Sequence, residues 1–164
     1  MENMPIKVKT VVQLKNPEWG VELLDVVSRC KKAAKSVWEE SLDSDQVYEV
    51  TIVLADDALV KELNHKFRQQ NKSTNVLSFP CSDDDPVVPG DTRTLGDVVI
   101  SFETTKKEAP NNLPNHLSHL VVHGCLHLLG YDHEDDQEAQ KMENLEIQIL
   151  ASLGIPDPYS RLRV

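Results

Sequence analysis

The chain has 164 residues, a length that fits one domain at about 150 residues per domain. Its 40% hydrophobic and 27% charged residues exclude a mostly disordered chain, a collagen-like chain and a coiled coil. Lys and Arg total 17 against 27 Asp and Glu, a formal charge of −10, which argues against a protein that coats nucleic acid without specificity.

No apolar run approaches the ~20 residues of a membrane span, and the start, MENMPIKVKT, lacks the apolar core of a signal peptide. A cytoplasmic protein without a membrane partner is expected. Cys30, Cys81 and Cys125 are too few and too scattered for a disulfide framework or a CxxC metal pair. They read as reduced thiols, with Cys81 and Cys125 in buried packing. The charge is uneven. Residues 132–146 hold seven acidic side chains against Lys141, whereas residues 61–72 hold Lys61, Lys66, Arg68 and Lys72 against Glu62. Local potential, not the total, decides whether an anion is welcome.

Residues 6–14 alternate Ile6, Val8, Val12 and Leu14 with polar positions, a strand pattern. Asn16-Pro17 marks a turn. Residues 18–40 read as one helix with Val21, Leu24, Val27 and Trp38 on its apolar stripe. Residues 47–54 form the clearest strand, with Tyr48, Val50, Ile52 and Leu54 on one face. Asp56 fits the N-cap of a short helix carrying Leu59, Leu63 and Phe67. The polar QQNKST stretch reads as a loop, and residues 76–79 as a short strand ending at Pro80.

Residues 81–94 carry Asp83-Asp84-Asp85, two prolines and a glycine, a solvated acidic loop rather than a metal site. Residues 96–101 return as a strand, and 106–114 read as irregular. Residues 117–129 form a strongly apolar, buried helix. A final helix over 134–153 places Met142, Leu145, Ile149 and Leu153 inward. The order β-α-β-α-β-β-α-α predicts a single α/β (α+β) domain over residues 1–164, a mixed sheet of about four strands with helices packed on it.

The chemistry is concentrated in HLSHLVVHGCLHLLGYDH. His123 and His127, four apart, share one helix face. Gly130 ends that helix, because only glycine takes a left-handed cap at little cost. The chain can then turn at Tyr131-Asp132 and bring His133 to the same side. The H-x3-H-x5-H spacing supplies three nitrogen ligands to a tetrahedral ion and leaves a fourth position open. An open position suits catalysis, as it admits a water or a substrate oxygen. Imidazole ligands favour zinc, with nickel, copper and iron also compatible. The metzincin pattern H-E-x-x-H-x-x-G-x-x-H shares these offsets, but Gly124 stands where its glutamate base would be.

His119, one turn before His123, reads as an orienting or structural group that can also touch substrate. Asp132 reads equally as a partner of a ligand imidazole or as a cap of the turn. Glu146 reads first as an exposed helix residue and alternatively as another orienting carboxylate, and His65 and His116 read as surface residues.

The segment HGCLHLLGYDH closely resembles the signature of the YbeY endoribonucleases, bacterial rRNA maturation factors. LNHKFRQQNKSTNVLSFP and LGDVVIS resemble two further blocks of that family, and the tail from Met142 to Glu146 fits as well. Together these cover residues 50–153. Asn75 stands where the family commonly has aspartate, Phe67 where tyrosine is frequent, and residues 104–108 lack a glutamine usual near that point.

The resemblance implies one zinc held by His123, His127 and His133, at the end of the buried helix. It implies cleavage of single-stranded RNA in small-subunit ribosomal RNA maturation and ribosome quality control. Small-subunit ribosomal proteins and a ribosome-associated GTPase are the implied partners. The family's functional arginine falls on Arg68, where a guanidinium can grip a phosphate in two-pronged geometry. Arg68 and His123 are thus the expected catalytic residues, with Arg68, Ser78 and His119 contacting substrate. A basic cleft around Arg68, with Lys66 and Lys72, is expected on an otherwise acidic body. The rival readings are a metal-dependent protease or amidase, which requires a glutamate near the metal, and a non-catalytic ribosome assembly factor with zinc.

Overall fold

The computed structural model describes residues 7–41, 47–81 and 92–159. Four strands form one mixed sheet in the order β1-β2-β4-β3: β1 (Lys7–Leu14), β2 (Val47–Ala55), β3 (Val76–Pro80) and β4 (Arg93–Ser101). β1, β2 and β4 run parallel, and β3 closes one edge antiparallel to β4. The α+β class and the four-strand mixed sheet follow the sequence expectation. The acidic run Asp83-Asp84-Asp85 lies outside the described residues.

β2 alternates as its sequence requires. Tyr48, Val50, Ile52 and Leu54 are buried, on the face that joins the main core. Ala55 and Val99 pack with Val60 on the opposite face. The sheet therefore carries helices on both sides, and most of the apolar area removed from water lies between it and the helices α2 (Val26–Ser41), α5 (Leu113–Leu128) and α6 (Asp136–Ser152). On the second face lies α3 (Asp57–Arg68).

The first helical segment departs from expectation. It is split into α1 (Glu18–Glu22) and α2, because Leu23 adopts extended dihedrals, φ −131° and ψ 102°. The break serves burial. Trp19 is fully buried, donates its Nε1 to the Ala55 carbonyl at 3.0 Å and meets Phe102 edge-on at 5.1 Å. Periodicity read through the break fails before it and holds after it: Val21 is 78% exposed and Leu24 97%, while Trp38 is buried, Val27 packs against the core, and Val26, Cys30, Ala33, Ala34 and Val37 complete the stripe.

α3 begins at its expected cap, with Asp56 Oδ1 accepting from the Leu59 amide at 2.8 Å. Its fully buried positions are Val60 and Asn64; Leu59 and Leu63 are half-buried against the same cluster, and Phe67 is exposed. Asn64 is satisfied there by donating Nδ2 to the Lys72 carbonyl at 2.9 Å. The irregular reading of 106–114 is also overturned: α4 (Phe102–Glu108) follows β4 directly, and α5 starts at Leu113 with a proline in its first turn. α4 buries Phe102 and Thr105 only, too little apolar signal for the sequence to announce it. Cys81 is exposed, against expectation, while Cys125 is buried. Burial pushes the Cys125 thiol up, so it is inert packing within the histidine segment.

Candidate metal centre

α5 is the helix that positions the site. It lies so close to the sheet that a Cβ on Gly124 would come within 2.5 Å of Val98 Cγ1 and 3.2 Å of Ser78 Oγ. Ser78 Oγ instead donates to the Gly124 carbonyl at 3.0 Å. A larger side chain at this position would have to displace Val98, so packing as well as sequence disfavours a peptidase-type base at position 124.

The turn after α5 forms as its glycine predicts. Gly130 has φ 98°. Its amide donates to the His127 carbonyl at 3.0 Å, and the Tyr131 amide donates to the Leu126 carbonyl at 3.1 Å, the two bonds of a Schellman motif. The chain reverses, and His133 arrives beside His123 and His127. The three ring centroids are 4.6, 5.2 and 5.8 Å apart.

The outward nitrogens of the first two histidines are already committed. Glu146 Oε1 lies 2.5 Å from His123 Nδ1, and His127 Nδ1 lies 2.8 Å from the Tyr131 carbonyl. Both partners can only accept, so both Nδ1 atoms carry the proton. The two Nε2 atoms, 3.0 Å apart, therefore present facing lone pairs. Two such lone pairs repel unless a cation sits between them, so the donor chemistry fits a metal ion. Burial and the neighbouring His123 ring push the His127 pKa down, which favours the neutral ligand form.

Among the described residues, two groups of three gather possible ligand atoms within 4.8 Å: His119, His123 and Glu146, and His127, Asp132 and His133. The first is satisfied internally. Glu146 is fully buried and takes His123 on one oxygen; on the other it takes His119 Nε2, at 2.9 Å, and the Tyr159 hydroxyl. Burial alone would raise the Glu146 pKa, but the hydrogen bonds from His119, His123 and Tyr159 outweigh it and hold the carboxyl at about 2. Glu146 is thus an ionised anchor behind the histidines, the orienting carboxylate that was the alternative reading, and not an exposed helix residue. Its burial had a signal in the sequence, since it stands four after Met142 and three before Ile149 on the inward stripe of α6. Tyr159 had none; it reaches Glu146 because Gly154, at φ 77°, turns the chain after α6.

A cavity of about 510 Å³ opens on this site. His123, His127 and His133 line it with Arg68, Ser78 and Asp132. Arg68 projects from the last turn of α3 and donates Nη2 to the carbonyl of Ser78, on edge strand β3, at 2.7 Å. Asp132 Oδ1 accepts from the His133 amide at 2.7 Å, in the turn, and lies 3.4 Å from the His133 Nδ1. His119 stands apart from this cavity and borders a neighbouring one with His116. Lys66 and Lys72 are not among the lining residues, so the basic contribution is Arg68 alone, opposed by Asp132. His116 is not a bare surface residue, since its Nε2 lies 2.9 Å from Glu108 Oε1.

The family model described as endoribonuclease YbeY matches residues 15–154. The chain belongs to that family. It is 48% identical over 161 residues to the endoribonuclease YbeY of Paramagnetospirillum magneticum, covering 95% of this chain and 98% of that one. It is 43% identical to the Jannaschia sp. relative of the same name, covering 87% and 94%. The solution structure of TM1509 from Thermotoga maritima matches with a TM-score of 0.50 at 26% identity, covering 90% of this chain and 91% of that one.

The departures from the YbeY pattern can be placed. Asn75 donates Nδ2 to Glu108 Oε1 at 3.1 Å. An aspartate there would face Glu108 charge to charge, so the amide at 75 and the carboxylate at 108 suit each other. Phe67 is exposed at the end of α3.

Proposed function

We propose that the protein is a zinc-dependent endoribonuclease specific for single-stranded RNA, acting in small-subunit ribosomal RNA maturation and ribosome quality control. Family membership supports the endoribonuclease activity. The observation that carries the metal-dependent reading is the pair of facing Nε2 atoms at 3.0 Å, in one cavity with Arg68. His123, His127 and His133 are the ligands in this reading, and one zinc per chain suits three imidazoles with an open fourth position. When bound, the metal supplies Lewis acidity toward a phosphoryl oxygen or a water.

The other roles belong to the chain. Arg68 binds the phosphate and stabilises the extra negative charge of the transition state. Its tie to Ser78 keeps the guanidinium aimed into the cavity before substrate arrives, so little ordering is left to do on binding. Ser78 holds α5 against β3 and lines the phosphate path. Glu146 keeps His123 in the tautomer that presents Nε2, with His119 and Tyr159 holding Glu146 in turn. The net charge of −10 discourages a duplex from spreading over the surface and leaves a narrow entry beside Arg68.

A cytoplasmic location, small-subunit ribosomal proteins and a ribosome-associated GTPase as partners complete the reading. Among the described residues, no helix is long and apolar enough to cross a membrane.

The deciding experiment compares cleavage of a single-stranded ribosomal RNA fragment by the wild type, Arg68→Ala and His127→Ala, purified identically, with zinc content measured on each. Loss of cutting in both variants, with zinc kept only by Arg68→Ala, is the expected result. Equal cutting by all three would mean a contaminating nuclease and would overturn the reading in favour of a non-catalytic assembly factor.

A further inference from the structure

The last turn of α3 reads His65-Lys66-Phe67-Arg68, and its aromatic ring is 57% exposed. A single exposed apolar side chain is ordinary and means nothing by itself. Phe67 is not single. Its ring meets Phe79 of β3 edge-to-face, with centroids 5.6 Å apart and planes at 63°. Lys66 Nζ lies 5.3 Å from the Phe67 centroid, and Arg68 Cζ lies 5.6 Å from the Phe79 centroid. Two adjoining rings thus lie between two cations over a short stretch of surface. The stretch begins at the metal cavity, because Arg68 is both a wall of that cavity and the cation over Phe79.

Single-stranded RNA offers a partner to both kinds of group. Each nucleotide offers an aromatic face and one phosphate charge, and proteins that hold single strands combine stacking side chains with nearby cations. A protein partner anchored by an apolar side chain alone would leave the Lys66 and Arg68 charges unused. Duplex RNA would keep its base faces stacked internally, out of reach of Phe67. We propose that Phe67, braced by Phe79 and flanked by Lys66, is a stacking platform for a base of the RNA strand next to the phosphate bound at Arg68. This rests on the ribonuclease reading above and adds to it a subsite that selects unpaired nucleotides.

The test uses short single-stranded RNA oligonucleotides that carry either a base or an abasic nucleotide at each position flanking the cleavage site. Binding is followed by fluorescence anisotropy, cleavage by KM and kcat, and zinc content and melting temperature are recorded for every variant. Phe67→Leu should weaken binding about 10-fold to 100-fold, appearing in KM with kcat largely kept and zinc content unchanged. Phe67→Trp should restore wild-type affinity. An abasic nucleotide at one flanking position should cost the wild type a similar factor and cost Phe67→Leu nothing further, because both changes remove the same stack. Wild-type binding by Phe67→Leu, or losses that multiply at every position, would overturn the platform while leaving the ribonuclease reading standing. A wild type that neither binds nor cuts these RNAs would overturn both.

Discussion

Glu146 and His123 are joined at 2.5 Å, carboxylate to Nδ1, with the carboxylate fully buried on α6 and the imidazole facing the cavity from α5. One hydrogen bond therefore couples the packing of two helices to the direction of the His123 Nε2 lone pair, which faces His127 Nε2. Glu146→Gln keeps the shape but removes the charge that selects the Nδ1–H tautomer. Zinc affinity should fall roughly 10-fold to 100-fold, as measured by competition with a chromophoric chelator, while the circular dichroism spectrum stays that of the wild type. Unchanged affinity would mean that the ring is oriented by packing alone.

Metal binding and stability should be linked. An ion that binds only the folded chain, at about 100 times its dissociation constant, adds about 2.7 kcal/mol. For a chain of this size that is a rise in Tm of about 5 to 10 °C. Calorimetry of the zinc-free protein with and without added zinc should show this rise, and His127→Ala should not. A similar rise in His127→Ala would place the ion elsewhere.

Gly124 is the closest approach of α5 to the sheet. Gly124→Ala forces a methyl group toward Val98 Cγ1, nominally 2.5 Å away, and should cost about 1 to 3 kcal/mol by overpacking. Urea unfolding should show a lower midpoint with an unchanged slope. Because Ser78 Oγ is bonded to the Gly124 carbonyl, cleavage should fall more than the stability loss alone explains. A neutral Gly124→Ala would show that the helix can lift off without cost.

Asp57 ties the start of α3 to the far end of β4. Its Oδ1 accepts from Ser73 at 3.0 Å, from Thr104 at 2.6 Å and from Ser101, while its amide donates to Glu103 Oε2 at 2.8 Å. Partial burial pushes its pKa up, but the three hydroxyl donors outweigh this and hold it below the usual carboxylate value. A carboxyl with a depressed folded pKa binds its proton more weakly in the folded state than in the unfolded state. Its stabilising contribution is therefore complete above its unfolded pKa of about 4 and is lost as pH falls through the lower folded value. Asp57→Asn should destabilise at neutral pH and show a shallower loss of stability below about pH 4 than the wild type. Parallel melting-temperature curves for the two proteins across that range would count against this.

The site was legible in sequence where it depends on one stretch of chain. His123, His127, Gly130 and His133 lie within eleven residues, and helix pitch and a glycine cap suffice to bring them together. Glu146 was read first as exposed because a carboxylate on an amphipathic helix usually faces water; its place on the inward stripe of α6, beside His119 and His123, makes it the orienting carboxylate of the alternative reading. The helix over 18–40 was misread because a burial requirement, that of Trp19, breaks a periodicity that looked continuous. The short α4 was hidden because its few buried residues leave almost no apolar pattern.

The amino-acid sequence by itself determined the strands, the main helices and the inward direction of three imidazoles, since each follows from spacing over a few residues. Tertiary structure alone decided that Arg68 from α3 faces those imidazoles across β3, that Glu146 and Tyr159 from the C-terminal region stand behind them, and that Phe67 packs on Phe79 of β3. Those relations join residues tens of positions apart. No local periodicity encodes them; they are set by how α3, α5 and α6 pack on the sheet.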